Sequence, residues 1–156
     1  MKISNNYILS FCIVALAVAA FVSVNRPLRF DRERKARETA VIERIWLIGQ
    51  AEKGYLQKHG VYTADFRQLT AEKLLADSLQ FIPYSNGQRF VLQATVDVSP
   101  TGHRRPLVEC SAPYEAYLNG LDENHIKRLI DDAMAAGKFP GVSIGDTNGT
   151  QYPDGP

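Results

Sequence analysis

The most prominent pattern along the chain is an uninterrupted apolar run from Tyr7 to Val24, YILSFCIVALAVAAFVSV, which contains no charged residue. At about 1.5 Å of rise per residue, an α-helix of this length covers about 27 Å, close to the hydrocarbon thickness of a bilayer. A helix also satisfies all of its own backbone hydrogen bonds inside lipid. The pattern therefore predicts a transmembrane anchor at residues 7–24, preceded by a short tail at residues 1–6.

The same run has a second interpretation, as a cleaved signal peptide. Lys2 precedes it, and Ala17-Val18-Ala19 fits the small-x-small pattern of a cleavage site. The apolar run nevertheless continues to Val24, where a mature chain normally turns polar. We therefore expect a retained signal anchor, with the cleaved signal as its alternative.

Residues 25–59 predict a basic stalk that continues as a long amphipathic helix. Asn25-Arg26-Pro27 is expected to break the first helix, because proline lacks an amide proton and its ring clashes with the preceding turn. Between residues 26 and 37, six basic side chains stand against two acidic ones. Helical spacing then predicts a buried face made of Ile42, Ile45, Trp46, Gly49, Tyr55 and Leu56. The charged side chains expected on the remaining, solvated surface are Glu33, Arg34, Arg37, Glu38, Glu43 and Arg44.

Residues 60–145 predict a globular head of the α+β class. Gly60 is expected to end the long helix and Asp65 to cap a short one. The hydrophobic period then changes, and Asn86-Gly87 predicts a hairpin between strands at residues 81–85 and 88–98, followed by a third strand from Pro106 to Cys110. The simplest topology is an antiparallel meander.

The last predicted element of the head is a C-terminal helix. Asp122 is expected to cap it and Gly137 to end it, with Phe139–Val142 packing back on the domain. Residues 146–156 carry turn-forming residues and little to bury, which predicts a flexible tail. The fold class expected from the whole pattern is α+β: a transmembrane helix, a long amphipathic helix on a small antiparallel sheet, and a C-terminal helix.

Composition narrows the possible partners. The formal net charge is +1 and the basic cluster is confined to the stalk, so we expect no nucleic acid. Cys12 and Cys110 are the two cysteines, and only Cys110 lies beyond the apolar run, which excludes a disulfide framework in the head. The expected partners are membrane lipid and other proteins, with self-association among the possibilities.

None of the reactive side chains forms a convincing chemical motif. His59, His103 and His125 are far apart in sequence and lack the spacing of a metal site. Cys110 lies among apolar strand residues, which is typical of an inert cysteine. Asp131-Asp132 occupies adjacent helix positions that point in different directions. We therefore predict no catalytic residue, no cofactor-binding residue, no metal site, no cofactor and no enzymatic activity.

Two further motifs near the C-terminus are weak. Gly141–Gly145 lacks the lysine and the following helix of a phosphate-binding loop. Asp146–Gly149 lacks the glutamate that closes a calcium loop, and Asn148-Gly149-Thr150 is a glycosylation triplet.

An apolar helix that runs into an amphipathic one, then GYLQKHGVYTADFRQL (Gly54–Leu69), then a small sheet resembles the plan of type IV pilins and pseudopilins. IPYSNGQRF (Ile82–Phe90) and the turn at Leu118–Leu121 also resemble single-span bacterial envelope proteins. The prepilin leader is missing from the pattern, since no glycine precedes Gly49 and no acidic residue precedes Asp31.

The resemblance implies a structural or accessory component of a secretion, pilus-like or other envelope assembly. It also implies a single-pass protein of the bacterial inner membrane with a periplasmic head, although the basic stretch after the span favours a cytoplasmic one. Two alternatives stay open. A tethered binding module for a small ligand or envelope polymer predicts a concave aromatic pocket, and a tethered enzyme would need a polar cluster around Cys110 or His103.

Overall fold

The computed structural model describes residues 5–98 and 104–145, and within the first helix the side chains of residues 5, 6 and 22–27 lie outside the description. The helices are α1 Asn5–His59, α2 Phe66–Ala71, α3 Tyr114–Tyr117 and α4 Glu123–Ala135. The strands are β1 Val91–Val98, β2 Arg104–Pro113 and β3 Gly141–Gly145, and a 3-10 turn covers Asp77–Gln80. The chain divides into two compact units, Met1–Lys35 and Ala36–Pro156.

No helix within the described ranges is long and apolar enough to cross a membrane. The side chains at positions 22–24 of the predicted span lie outside the description. This finding contradicts the transmembrane anchor predicted at residues 7–24, and with it the membrane helix of the predicted fold class, the signal anchor and the single-pass inner-membrane location.

Helix α1 passes through Pro27 without ending, so the break predicted at Asn25-Arg26-Pro27 is wrong at the level of the backbone. The predicted end of the helix is confirmed. Helix α1 stops at His59, and Gly60 follows with a φ of 74°, a left-handed conformation that glycine adopts without a Cβ penalty.

The buried side of α1 in the second unit is rotated from the predicted one. Its buried residues are Val41, Ile45, Ile48, Gly49, Ala51 and Glu52, whereas Ile42 and Trp46 are half-buried. The stripe still follows helical spacing, but it includes a carboxylate that is absent from the predicted buried face. Glu52 is fully buried.

Two arginines of α1 fasten the helix to backbone carbonyls of the head. Arg37 donates from Nη1 to the carbonyl oxygens of Tyr117, at 3.1 Å, and Asn119, at 2.8 Å. Arg44 donates from Nη1 to the carbonyl of Phe81 at 2.7 Å. The predicted solvated role of these two side chains is therefore wrong, because each satisfies a carbonyl group that secondary structure leaves open.

The sheet has three antiparallel strands in the order β1-β2-β3, with Leu92 opposite Cys110 and Cys110 opposite Ile144. Alternation along β1 is as predicted at its start, where Phe90 and Leu92 are buried and Val91 and Gln93 are exposed. The second unit is thus α+β with a small antiparallel sheet.

Two of the three predicted strands are present, as β1 and β2, and the first is absent. Residues 81–85 form no strand beyond a single bridge from Phe81 to Arg89. Pro83 offers no amide to a ladder, and Tyr84 and Asn86 adopt positive φ values of 63° and 53°. The third strand is instead β3, from the segment expected only to pack back on the domain, and the predicted antiparallel order of consecutive strands is kept. The predicted turn at residues 99–102 lies outside the described residues.

Candidate functional site

The most unusual side chain in the described structure is Glu52, in the last third of α1. None of its surface is exposed. Its Oε2 atom accepts a hydrogen bond from the backbone amide of Thr63 at 3.0 Å. Its Oε1 atom has no hydrogen-bond partner among the described residues. One hydrogen-bond donor does not offset the cost of moving a charged carboxylate from water into a protein interior. Burial therefore raises the pKa of Glu52 to about 7, although the hydrogen bond from the Thr63 amide acts in the opposite direction.

Thr63 places Glu52 within a larger polar network, which we call the Glu52 network and define by Glu52, Tyr55, Thr63 and Gln68. The hydroxyl of Thr63 donates to Gln68 Oε1 at 2.9 Å and accepts from the amide of Asp65 at 3.1 Å. The Tyr55 hydroxyl donates to the same Gln68 oxygen at 2.8 Å. The network thus ties α1 to the loop at residues 60–65 and to α2.

An exposed cluster borders the Glu52 network at the end of α1. The rings of Tyr55 and His59 stack, with centroids 4.2 Å apart. His59 Nε2 pairs with Glu72 Oε1, and Lys58 Nζ donates to Glu72 Oε2 at 3.2 Å. Desolvation opposes ionisation of Glu72, but the hydrogen bonds and charges of His59 and Lys58 outweigh it and lower the Glu72 pKa. His59 is therefore part of a salt-bridged cluster as well as a helix end.

The other predicted candidates lie elsewhere. His125 is at the start of α4, where its amide and that of Asn124 donate to Asp122 at 3.2 Å and 2.9 Å. The hydrogen bond from the backbone amide of His125 lowers the pKa of Asp122 most, and the hydrogen bond from the His125 side chain lowers it further. Asp131 and Asp132 are exposed on α4, and no group of metal-ligating side chains occurs in the ranges that the structure covers.

Cys110 is fully buried at the centre of β2. Burial raises the pKa of its thiol far above the usual range, and the charges of Glu52 and Glu109 raise it further. Because the thiolate is the reactive form, this environment opposes a nucleophilic role. His103, Asp146–Gly149 and the Asn148 triplet lie outside the described residues.

A groove of about 500 Å³ opens between the end of α4 and the start of β3. Its lining includes the rings of Tyr114 and Phe139, with Lys138 and Ser143 as polar members. Ser143 donates its hydroxyl hydrogen to the Glu109 carboxylate. The groove has the concave, partly aromatic character that a small-ligand site requires.

Sequence reasoning missed Glu52, because an isolated glutamate on a helix is almost always solvated. The one available signal was its position, four and seven residues after Ile48 and Ile45, on the apolar face. Comparison of the chain with protein-family models, with curated proteins and with solved structures gives no match.

Proposed function

We propose that this chain is a non-enzymatic structural or accessory subunit of a pilus-like or secretion assembly, built by packing of its apolar helical segment against helices of other subunits. The apolar segment is defined as residues 7–21 of α1. Its large side chains are widely exposed, from 51% for Ile8 to 75% for Tyr7, with Phe11 at 74%. This exposure is the observation that carries the proposal.

A helix that is apolar on all sides normally lies within a larger apolar structure. Contiguous exposed apolar surface of this extent marks an interaction site on a protein. Burying a side chain such as Phe11 or Leu16 is worth about 1.5–3 kcal/mol each, so several together offset the cost of association. Partner helices of the same kind offer the matching surface, and a second copy of this chain is the simplest source.

The test is sedimentation velocity of the full chain over a range of concentrations. We expect discrete oligomers of the unchanged protein and a shift to monomer in the double variant Phe11→Glu/Leu16→Glu. The matched control is Met134→Glu, which also replaces an exposed apolar residue, 56% accessible, but on α4 of the head. A monomeric unchanged protein, or oligomers that survive the double variant, would contradict the proposal.

Cysteine chemistry tests whether the apolar segments of two chains lie next to each other. Cys12 is exposed within the apolar segment and Cys110 is buried, so a short bismaleimide reagent reports on the segment alone. We expect cross-linked dimers from the native protein, none from Cys12→Ser, and none in the presence of the Phe11→Glu/Leu16→Glu changes. Because each chain offers one reactive thiol, the product cannot exceed a dimer, and dimers that persist with the Phe11→Glu/Leu16→Glu changes would contradict packing through this segment.

A second candidate function is binding of a small ligand or polymer at the groove between α4 and β3, which the Tyr114 and Phe139 rings favour. Aromatic faces of this kind stack on rings of a bound molecule. Titration with chitohexaose, followed by the amide resonances of residues 137–143, tests it. Binding that is lost in Phe139→Ala would support this candidate, and unchanged resonances up to millimolar sugar would oppose it.

A further inference from the structure

The loop at residues 60–65 is held to α1 by a buried carboxyl group. Glu52 Oε2 accepts from the Thr63 amide at 3.0 Å, and no surface of Glu52 reaches solvent. Within the described residues a backbone bond also joins the loop to α1, from the Gly60 amide to the Leu56 carbonyl at 2.8 Å. The protonation state of one side chain therefore bears directly on how the loop is fastened.

The surroundings of Glu52 favour the neutral acid. No basic side chain pairs with it within the described residues, and its Oε1 atom has no hydrogen-bond partner there. A buried charge without a counter-ion is strongly unfavourable, so ionisation is expected to draw water into the site. The Thr63 amide bond favours the charged form, but burial outweighs it, so an ionised Glu52 is favoured where the loop has opened and water reaches the carboxylate.

The charged and titratable groups on the neighbouring elements do not supply the missing counter-ion. On β2, the Cys110 thiol is neutral and its own pKa is raised by burial and by Glu52. The other titratable side chains on these elements include Lys53, Tyr55, Lys58 and His59 near the end of α1, Tyr62 and Asp65 in the loop, Arg67, Glu72 and Lys73 around α2, and Glu109 on β2. Lys58 and His59 are engaged with Glu72 at the surface.

We propose that Glu52 is a proton-controlled latch, which holds the 60–65 loop against α1 when the carboxyl is protonated and releases the loop to water when it is ionised. Release loosens the start of α2 as well, because Thr63 also binds Gln68 and the Asp65 amide. The change from the closed to the open loop falls near pH 7, where the Glu52 carboxyl titrates. This device is independent of the association proposed above, since it acts within the second unit.

The Thr63 amide is a direct reporter of the latch. Hydrogen exchange of the full chain, measured by NMR at pH values from 5 to 9 and corrected for intrinsic rates, gives its protection. We expect Thr63 protection to fall at least about tenfold from pH 6 to pH 8, while the Val108 amide of β2 keeps its protection. In Glu52→Gln, which keeps the shape but cannot ionise, Thr63 protection should not depend on pH.

Two variants separate the latch from its titratable neighbours. Glu72→Gln and His59→Gln alter the exposed cluster and should leave the pH response of Thr63 in place. A pH response that persists in Glu52→Gln, or one that disappears in His59→Gln, would overturn the latch. The NMR chemical shift of the Glu52 carboxyl carbon, followed against pH in the unchanged protein, needs no variant. A titration midpoint near pH 7 supports the latch, and a midpoint below pH 5 overturns it.

Discussion

Among the described residues, Glu52 has one hydrogen bond, from the Thr63 amide, and none of its surface is exposed. An unfolded glutamate ionises near its ordinary pKa of 4.5, whereas burial raises the folded pKa to about 7. Because the folded state has the higher pKa, it binds the proton more tightly. The contribution of Glu52 to stability is therefore complete below about pH 4.5 and is lost as the pH rises through about 7.

Glu52→Gln is predicted to remove this pH dependence. The pKa difference corresponds to about 3 kcal/mol, so the stability of the variant relative to the unchanged protein should rise by an amount of that order between pH 4 and pH 9. Urea unfolding of both proteins at matched pH values measures the difference in their free energies of unfolding. Groups that titrate in both proteins contribute equally and cancel from this difference. Parallel stability curves would show that Glu52 is not the responsible group.

Gly141 and Gly145 lie where β3 runs against β2. A Cβ atom on Gly141 would overlap the backbone of Ala112 and Pro113, and one on Gly145 would overlap Val108 and Glu109. Gly141→Ala is predicted to destabilise the protein by about 1–3 kcal/mol or more, as overpacking does. Gly54→Ala is the control, since its Cβ would lie 3.3 Å from the flexible Leu74 Cδ2 and the helix gains propensity. Equal melting temperatures for the two variants would contradict the prediction.

At the scale of elements, local signals set where helices start and end. Asp122 caps α4 by accepting from the amides of Asn124 and His125, as the sequence predicts, and Gly137 follows the helix with a φ of 66°. Asp65 likewise caps α2 by accepting from the Arg67 amide at 2.9 Å. These features need only a few neighbouring residues, so they can be recognised without the fold.

Asp122→Ala is predicted to lower the melting temperature by about 2–4 °C, because two amides of the first turn of α4 lose their acceptor. Asp131→Ala, on the exposed side of the same helix, is the control and should shift it by much less. The difference in melting temperature between Asp122→Ala and the unchanged protein should also become smaller at acidic pH. The pKa of Asp122 is lowered in the folded state, so its capping contribution is lost as the pH falls through that lowered pKa. A similar melting temperature for both variants would rule out the cap as a stabilising element.

At the scale of the whole molecule, the second unit contains the sheet, helices α2 to α4 and nearly all of the buried core. The apolar segment at residues 7–21 belongs to the first unit. Folding and association are therefore expected to depend on different parts of the chain.

A fragment of residues 36–156 is predicted to unfold cooperatively and to remain monomeric, because it keeps the core and lacks the apolar segment. Circular dichroism during heating and sedimentation velocity provide the two readouts, with the full chain as reference. A fragment without a cooperative transition would mean that residues 1–35 are needed for the fold. An associating fragment would place the interface in the head.

The sequence by itself determined the features that depend on short-range chemistry: the end of α1 at Gly60, the caps at Asp65 and Asp122, the turn at Asn86-Gly87, and the alternation at the start of β1. Hydrophobicity alone also singled out residues 7–24, but the membrane role predicted for them is contradicted. The tertiary structure alone decided the rest, because it depends on contacts between distant residues. Pairing of β3 with β2, the carbonyl partners of Arg37 and Arg44, and the burial of Glu52 all join positions whose proximity no local pattern encodes.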